Sequence, residues 1–202
     1  MDVLVNNAGL IAGPRRALTA DGHELTFQVN HLAPFLLTML LRRQLTSSGS
    51  IVVNTSSRAG AARSATVDLD DLDMAHNYEP MRAYRSSKLA NVLFTQELAR
   101  RWASVGVSTA AVHPGVVRTS WGLDGPAAVR LVVRSPFRLA MRTANHGADT
   151  IVWLATGTPG KDWESGGYFA DRKAARPNPL AGDPVVARAL WERSELLCGL
   201  VT

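Results

Sequence analysis

The chain opens "MDVLVNNAGLIAG" (residues 1–13). Asp2–Asn6 is a short apolar run rich in β-branched residues, the mark of a buried strand. It runs straight into Asn6–Gly9, where a glycine at a strand end lets the backbone come close to a flat ligand. A domain ordinarily begins with a tail or with the first strand of its own core. A strand at the second residue that ends in a ligand-type turn therefore has to be read against the strands that follow it.

Those strands are legible. "SIVVN" (Ser50–Asn54), "VSTAAVHPG" (Val107–Gly115) and "GGYFAD" (Gly166–Asp171) are strand-like, and helical spacing separates them. Leu25–Leu45 places Phe27, His31, Phe35 and Met39 near one stripe. Met81–Trp102 is the strongest helix, with Ala83, Leu89, Val92, Leu93 and Leu98 recurring at helical spacing and Gly106 as its stop. A helix ending at Gly157 follows, and a last helix starts after Asp183, a natural N-cap ahead of Pro184. Residues 58–80 read as a long polar connection rich in Asp. Residues 120–143 read as a looser stretch with one helix. Strands alternating with helices predict an α/β fold with a parallel sheet covered on both faces. Ligands of such sheets bind beyond the carboxyl ends of the strands, which here hold Asn6–Gly9, Ser56–Ser57 and Pro114–Gly115.

Composition narrows the function classes. The 202 residues are 46% hydrophobic and 19% charged, a globular balance in a length that favours one domain. The longest apolar stretch, Ala33–Leu41, is too short for a membrane span and is broken by Pro34 and Thr38. No leader is expected at Met1. A single cysteine, Cys198, excludes an internal disulfide framework and fits a reducing, cytoplasmic setting. The net charge of +5 comes mostly from scattered arginines. They lack interleaved aromatics and any nucleic-acid motif, so they read as solvated helix ends rather than a DNA or RNA surface. The histidines show neither HExxH nor cysteine pairing, and no metal site is expected.

The residues able to do chemistry sit at the predicted strand ends or on the long helix. In "AYRSSK", Tyr84 and Lys88 are four apart and share a helix face. A phenol near pKa 10 is a poor acid or base at neutral pH, but a neighbouring ammonium favours the phenolate and readies it to exchange a proton with an alcohol or carbonyl oxygen. The same spacing also arises by chance on a helix surface. Ser57 in "NTSSRAG" either donates to a substrate oxygen or caps a turn; Gly-x-Ser-x-Gly, which a serine hydrolase of the elbow type needs, is missing around it. Asn30, in "FQVNHLAPF", suggests a local kink with Pro34 close behind. Its amide either holds a water linked to Lys88 or serves as a cap. Thr119, after "HPGVV", offers a hydroxyl to an amide or phosphate.

Taken in order, Asn-Asn-Ala-Gly, the helix asparagine, Ser-Ser, Tyr-x-x-x-Lys and Pro-Gly-x-Val-x-Thr resemble the short-chain dehydrogenase/reductase family, over residues 2 to about 170. "FQVNHLAPFLLT" and "AYRSSKLANVLFTQELARR" resemble the subgroup with the retinol dehydrogenases and the oxidoreductase domain of WW-domain oxidoreductases. The resemblance implies a Rossmann-like doubly wound parallel sheet and NAD(P)-dependent interconversion of an alcohol and a ketone or aldehyde. Tyr84 would be the general acid/base, Lys88 would lower its pKa and hold the nicotinamide ribose, Ser57 would orient the substrate oxygen, and Asn30 would anchor a relay water. Asn7, Ala8 and Gly9 would line the adenosine side of the cofactor, with Pro114, Gly115, Val117 and Thr119 flanking the nicotinamide. NADP is favoured over NAD by the subgroup's habit. The helices carrying Asn30 and Tyr84 would be dimer faces.

In that family the chain starts with three more strands and a Gly-rich phosphate loop, which these residues do not contain. The expectation is one partial domain over residues 1–202, the catalytic two-thirds of a longer enzyme, with the Asp2–Asn6 strand left as an edge. The alternative is an inactive fragment or a non-catalytic binding protein on the same fold. Residues 120–143 would form a substrate lid. Its Trp121, Leu123, Leu131, Val132, Val133 and Phe137 favour an apolar substrate.

Overall fold

The computed structural model describes residues 1–118, 125–136 and 141–201. Its sheet, among those residues, has five strands in the order β1-β2-β3-β4-β5. They are β1 (Val3–Asn6), β2 (Ile51–Thr55), β3 (Ser108–Val112), β4 (Gly167–Ala170) and β5 (Lys173–Ala174). The first four pair in parallel, with Asn6 beside Asn54, Thr55 beside Val112 and Val112 beside Phe169. Only β5 runs antiparallel, returning from β4 through Asp171 and Arg172, both at positive φ. β1 forms one edge, where Val5 is 38% exposed.

Side chains alternate across a strand, and here both faces are buried. Val52 and Ala111 point to one side, against α2 (Ala33–Leu40), α5 (Pro80–Trp102) and α8 (Pro184–Leu197), where Phe35, Leu89, Phe94, Leu98, Leu190 and Trp191 complete the packing. Val53, Ala110 and Val112 point to the other, against Leu154 of α7 (Ala144–Thr156), Trp163 and Phe169. Parallel sheets need this double cover because neither face can be left to water. The expected α/β doubly wound sheet is therefore the observed one.

α5 is the central pillar. Glu79 caps it by accepting from Met81 N and Arg82 N, and Pro80 occupies the first turn. Its last turn holds Arg100 and Arg101, both paired with Glu97. After it a 3₁₀ turn ends at Gly106 in the left-handed region, φ 78°. α7 and α8 are capped by Thr143 and Asp183.

The stretch expected as one helix over Leu25–Leu45 is instead segmented. α1 (Leu25–Phe27) leads into a π-helical turn (Gln28–Leu32), then α2, then α3 (Arg42–Thr46). The kink expected at Asn30 is this wide turn, whose extra residue re-aims the backbone. The connection 58–80 also holds structure: α4 (Arg58–Ala61) starts it, and Asn178 Nδ2 ties Ala62 O and Ala65 O to the far end of the chain. Of the 120–143 stretch, α6 (Ala127–Arg134) lies within the described residues. No helix of the described residues is long and apolar enough to cross a membrane.

Candidate active site

The site forms where β1, β2 and β3 end above the first turns of α5. Tyr84 and Lys88 lie one turn apart on α5, both buried, with the Lys88 ammonium 5.9 Å from the Tyr84 ring centre. The Tyr84 hydroxyl is hydrogen-bonded to the Ser57 side chain. Lys88 Nζ donates to Thr55 O, the last carbonyl of β2, at 3.1 Å. Asn91 Nδ2 donates to the same oxygen at 3.1 Å and to Asn30 O at 2.8 Å. One carbonyl at the end of β2 thus gathers the Lys88 and Asn91 side chains.

The two serines divide the work. Ser56 is buried and donates to Lys88 O at 2.6 Å, fastening the end of β2 to α5. Ser57 is half-buried and caps α4 by accepting from Ala59 N at 3.2 Å. Of the two roles the sequence left open, the structure shows the cap, and the same side chain also meets Tyr84. Gly60 allows this closeness: a Cβ there would lie 2.5 Å from Lys88 C and 2.7 Å from Leu89 N. Only a glycine lets α4 lie so near the α5 backbone.

Asn30, buried in the π-turn, spends its amide on neighbours. Nδ2 donates to Leu10 O and to Ser87 Oγ, each at 2.9 Å, and Oδ1 accepts from Leu10 N at 2.8 Å. With both donors engaged, the side chain clamps the loop after β1 to the helix carrying Tyr84. Ser87 in turn donates to Tyr84 O. The loop itself presents Asn7 and Ala8 to solvent, and Asn7 Oδ1 accepts from Thr55 Oγ1 at 3.1 Å. Gly9 abuts the ammonium: a Cβ there would meet Lys88 Nζ at 3.0 Å and Asn30 Oδ1 at 3.1 Å.

Beyond β3, Pro114, Gly115 and Val117 are half-buried. Gly115 has φ 89°, and the Arg142 side chain crosses it so closely that a Cβ would fall 2.5 Å from Arg142 Cδ. Arg142 pairs in parallel with Val117 and forms an ion pair with Asp171 at 2.5 Å. Thr119 lies outside the described residues, as do Trp121, Leu123, Phe137 and the side chain of Val132; Val133 is buried and Leu131 exposed.

Burial sets the electrostatics. It pushes the Tyr84 phenol above its ordinary value, and the Ser57 hydrogen bond offsets part of that rise. Burial alone pulls Lys88 down to about 8. The lowered phenol that an adjacent lysine suggests is thus not the net result: desolvation of the phenolate is the largest effect, and the Ser57 hydrogen bond is what opposes it. His31 and His113 are also held neutral, each near 4, by burial first. Among the described residues no group of three or more His, Cys, Asp or Glu could hold a metal ion.

Sequence reasoning placed Ser56 at a strand end but gave it no role of its own, and it gave no role to Gly60, Asn91 and His113. A polar residue recurring on the buried face of the long helix was the available signal for Asn91. Gly60 carried no signal beyond its place next to the serines.

Residues 1–158 match the family model described as enoyl-(acyl carrier protein) reductase. Human retinol dehydrogenase 14 is 41% identical over 206 residues, covering 100% of this chain and 60% of that protein. Dehydrogenase/reductase SDR family member 13 of Bos taurus is 39% identical, covering 99% of this chain and 52% of the relative. The chain thus spans about 60% or less of the length of these two relatives. Among solved structures, a protein of Mycobacterium paratuberculosis superposes with a TM-score of 0.76 at 33% identity, over 98% of this chain and 67% of that one. The NADPH-bound carbonyl reductase from chicken fatty liver shares the fold, with a TM-score of 0.60 at 23% identity over 87% of this chain and 65% of that one. With the strand order, the ordered motifs at the strand ends and these matches together, the chain belongs to the short-chain dehydrogenase/reductase family.

Proposed function

We propose that this site interconverts an apolar alcohol and its ketone or aldehyde, with Tyr84 moving the proton. The observation that carries the reading is the Tyr84 hydroxyl hydrogen-bonded to Ser57 beside the buried ammonium of Lys88, at the carboxyl ends of β1–β3. Oxidoreduction on this fold requires a nicotinamide dinucleotide, NADP or NAD, which when bound supplies or accepts the hydride.

The residues fit the riboside end of such a group. An ammonium has three N–H bonds, and Lys88 directs one to Thr55 O, leaving capacity for ribose hydroxyls. Asn7, Ala8 and Gly9, in the loop after β1, would line the adenosine side, with Asn7 and Ala8 exposed to a ligand. Pro114, Gly115, Val117 and Thr119 would flank the nicotinamide, as the family resemblance implies.

In carbonyl reduction Tyr84 gives its proton to the substrate oxygen while Ser57 holds that oxygen. In alcohol oxidation the same phenol takes the proton back. Preorganised donors at the oxygen where charge develops lower the barrier most, and a positioned acid or base adds about 10²–10⁴-fold. The Lys88 charge stabilises the phenolate that reduction leaves behind. Asn30 fixes the geometry by clamping the β1 loop to α5. The apolar substrate follows from the apolar side chains in the sequence of residues 120–143, which would serve as a substrate lid within one partial domain over residues 1–202. A homodimer through the helices bearing Asn30 and Tyr84, and a reducing cytoplasmic setting, complete the proposal.

The test uses the protein expressed from its complete coding sequence. NADPH and NADH binding are measured by titration calorimetry, and turnover with octanal by cofactor absorbance. Binding of one dinucleotide, with turnover that Tyr84→Phe lowers by about 10²-fold or more, supports the reading. Turnover that Tyr84→Phe leaves near the wild-type rate overturns it.

A further inference from the structure

His113 is the last residue of β3's run before Pro114. Its backbone N–H donates to Phe169 O at 2.9 Å, which fixes it against β4. Its ring is buried, 8% exposed, and Nδ1 accepts the backbone N–H of Arg58 at 3.2 Å. Arg58 is the first residue of α4 and directly follows Ser57.

The first N–H groups of a helix have no partner inside the helix. Capping normally solves this locally, and the Ser57 side chain does so for Ala59. The Arg58 N–H is satisfied from another strand altogether. An Nδ1 that accepts places the ring proton on Nε2. Arg58 and Arg142 press on this ring as positive charges, with Asp171 as the opposing one.

We propose that His113 is a positioning residue for the Ser57 hydroxyl: by accepting the Arg58 N–H, it sets the backbone turn from which Ser57 reaches Tyr84. The inference rests on the reading of Ser57 and Tyr84 as the pair that handles the substrate oxygen. It also makes the loops after β2 and β3 one unit, since His113 leads directly into Pro114 and Gly115.

The test is read without substrate or cofactor, on the full-length protein at pH 7 with ¹³Cζ-labelled tyrosine. The Tyr84 signal reports its hydrogen bond to Ser57. Ser57→Ala defines the signal of the broken pair. Asparagine places its Oδ1 near the position of histidine Nδ1, whereas glutamine reaches the Nε2 position. His113→Asn should keep the wild-type signal, and His113→Gln should move it in the direction of Ser57→Ala. In the Ser57→Ala background His113→Gln should add nothing, because both changes remove one interaction. Arg58→Pro is the second route: it deletes the N–H donor at a first helical position, where proline is tolerated, after an extended Ser57 (φ −158°, ψ 155°). It too should move the signal. A wild-type Tyr84 signal in folded His113→Gln or in Arg58→Pro overturns the inference. If the signals move as expected but Tyr84→Phe keeps turnover, the positioning stands and the proposed chemistry falls.

Discussion

The Lys88 ammonium lies 3.1 Å from the carbonyl oxygen of Thr55, buried at 3% exposure between α5 and the end of β2. Burial lowers its pKa to about 8, so keeping it charged at pH 7 costs on the order of 3 kcal/mol. The unfolded chain binds its proton up to pH 10 or so, and the folded chain releases it near 8. Between those values the unfolded state holds more protons, so the Lys88 contribution to stability rises with pH. Lys88→Met should therefore melt above the wild type at pH 7, with the gap shrinking as pH is raised toward 10. A gap that stays constant across paired thermal melts would show that the lysine is not charged at a cost.

For Tyr84 the sign is different. Burial raises the phenol's pKa, so the protonated form persists above the ordinary range. Carbonyl reduction needs that protonated form and should hold its rate through neutral pH, whereas alcohol oxidation needs the phenolate and should climb with pH. Tyr84→Phe should lower kcat by about 10²–10⁴-fold in both directions with little change in the melting temperature. Paired pH–rate profiles of the two directions check the assignment, and profiles that coincide would contradict it.

Gly60→Ala should destabilise the fold by about 1–3 kcal/mol, read as a lower urea midpoint at unchanged m-value. Its Cβ would lie 2.5 Å from a backbone carbon of Lys88, which cannot move aside as a side-chain tip can. Because α4 carries Ser57 on its first cap, kcat should fall along with stability. A midpoint equal to the wild type would mean that α4 is free to lift from α5.

The architecture was legible because period and punctuation agree. Val52 and Val53 face opposite sides of the sheet and are both fully buried, as a parallel strand requires. Tyr84 and Lys88 were legible because four residues on a helix fix a shared face. The Asn30 turn was only half legible: its polar residue and Pro34 announce a kink, but no periodicity distinguishes a π-turn from a bend. Gly60 and His113 were silent, since each matters through a partner far along the chain, Lys88 and Arg58. Their value is a distance in three dimensions, which spacing in one dimension does not carry. Likewise the direction of the Tyr84 shift depends on desolvation, a property of the packed core and not of the neighbouring lysine.

His31 makes an acid prediction. Its ring nitrogens face Asn91 Oδ1 at 3.2 Å and Ser194 Oγ at 2.9 Å inside the core, and burial lowers its pKa to about 4. The unfolded chain takes up this proton near pH 6.5. Stability from the neutral ring is therefore complete above 6.5 and is lost progressively as pH falls toward 4. His113, also near 4, adds to the same window. Urea midpoints should drop between pH 7 and 4.5, and His31→Gln should flatten that drop even where it lowers the midpoint at pH 7. An equally steep fall in His31→Gln would remove His31 from the account.

Adjacent serines make the sharpest contrast. Ser56 Oγ donates to Lys88 O from a fully buried position, whereas the half-buried Ser57 meets Tyr84 at the site. Ser56→Ala should cost about 1 kcal/mol of stability, the net worth of a buried hydrogen bond, and leave most of kcat. Ser57→Ala should leave the unfolding free energy from urea titration within about 1 kcal/mol of the wild type, since a cap on a four-residue helix is worth little more. Its kcat should fall by more than ten-fold, because the substrate oxygen loses its second partner. The two variants measured side by side, by denaturation and by steady-state turnover, separate a serine that holds the helix from one that holds the substrate. Exchanged phenotypes would assign the substrate to Ser56, and equal ones would mean that the pair acts as a single structural unit.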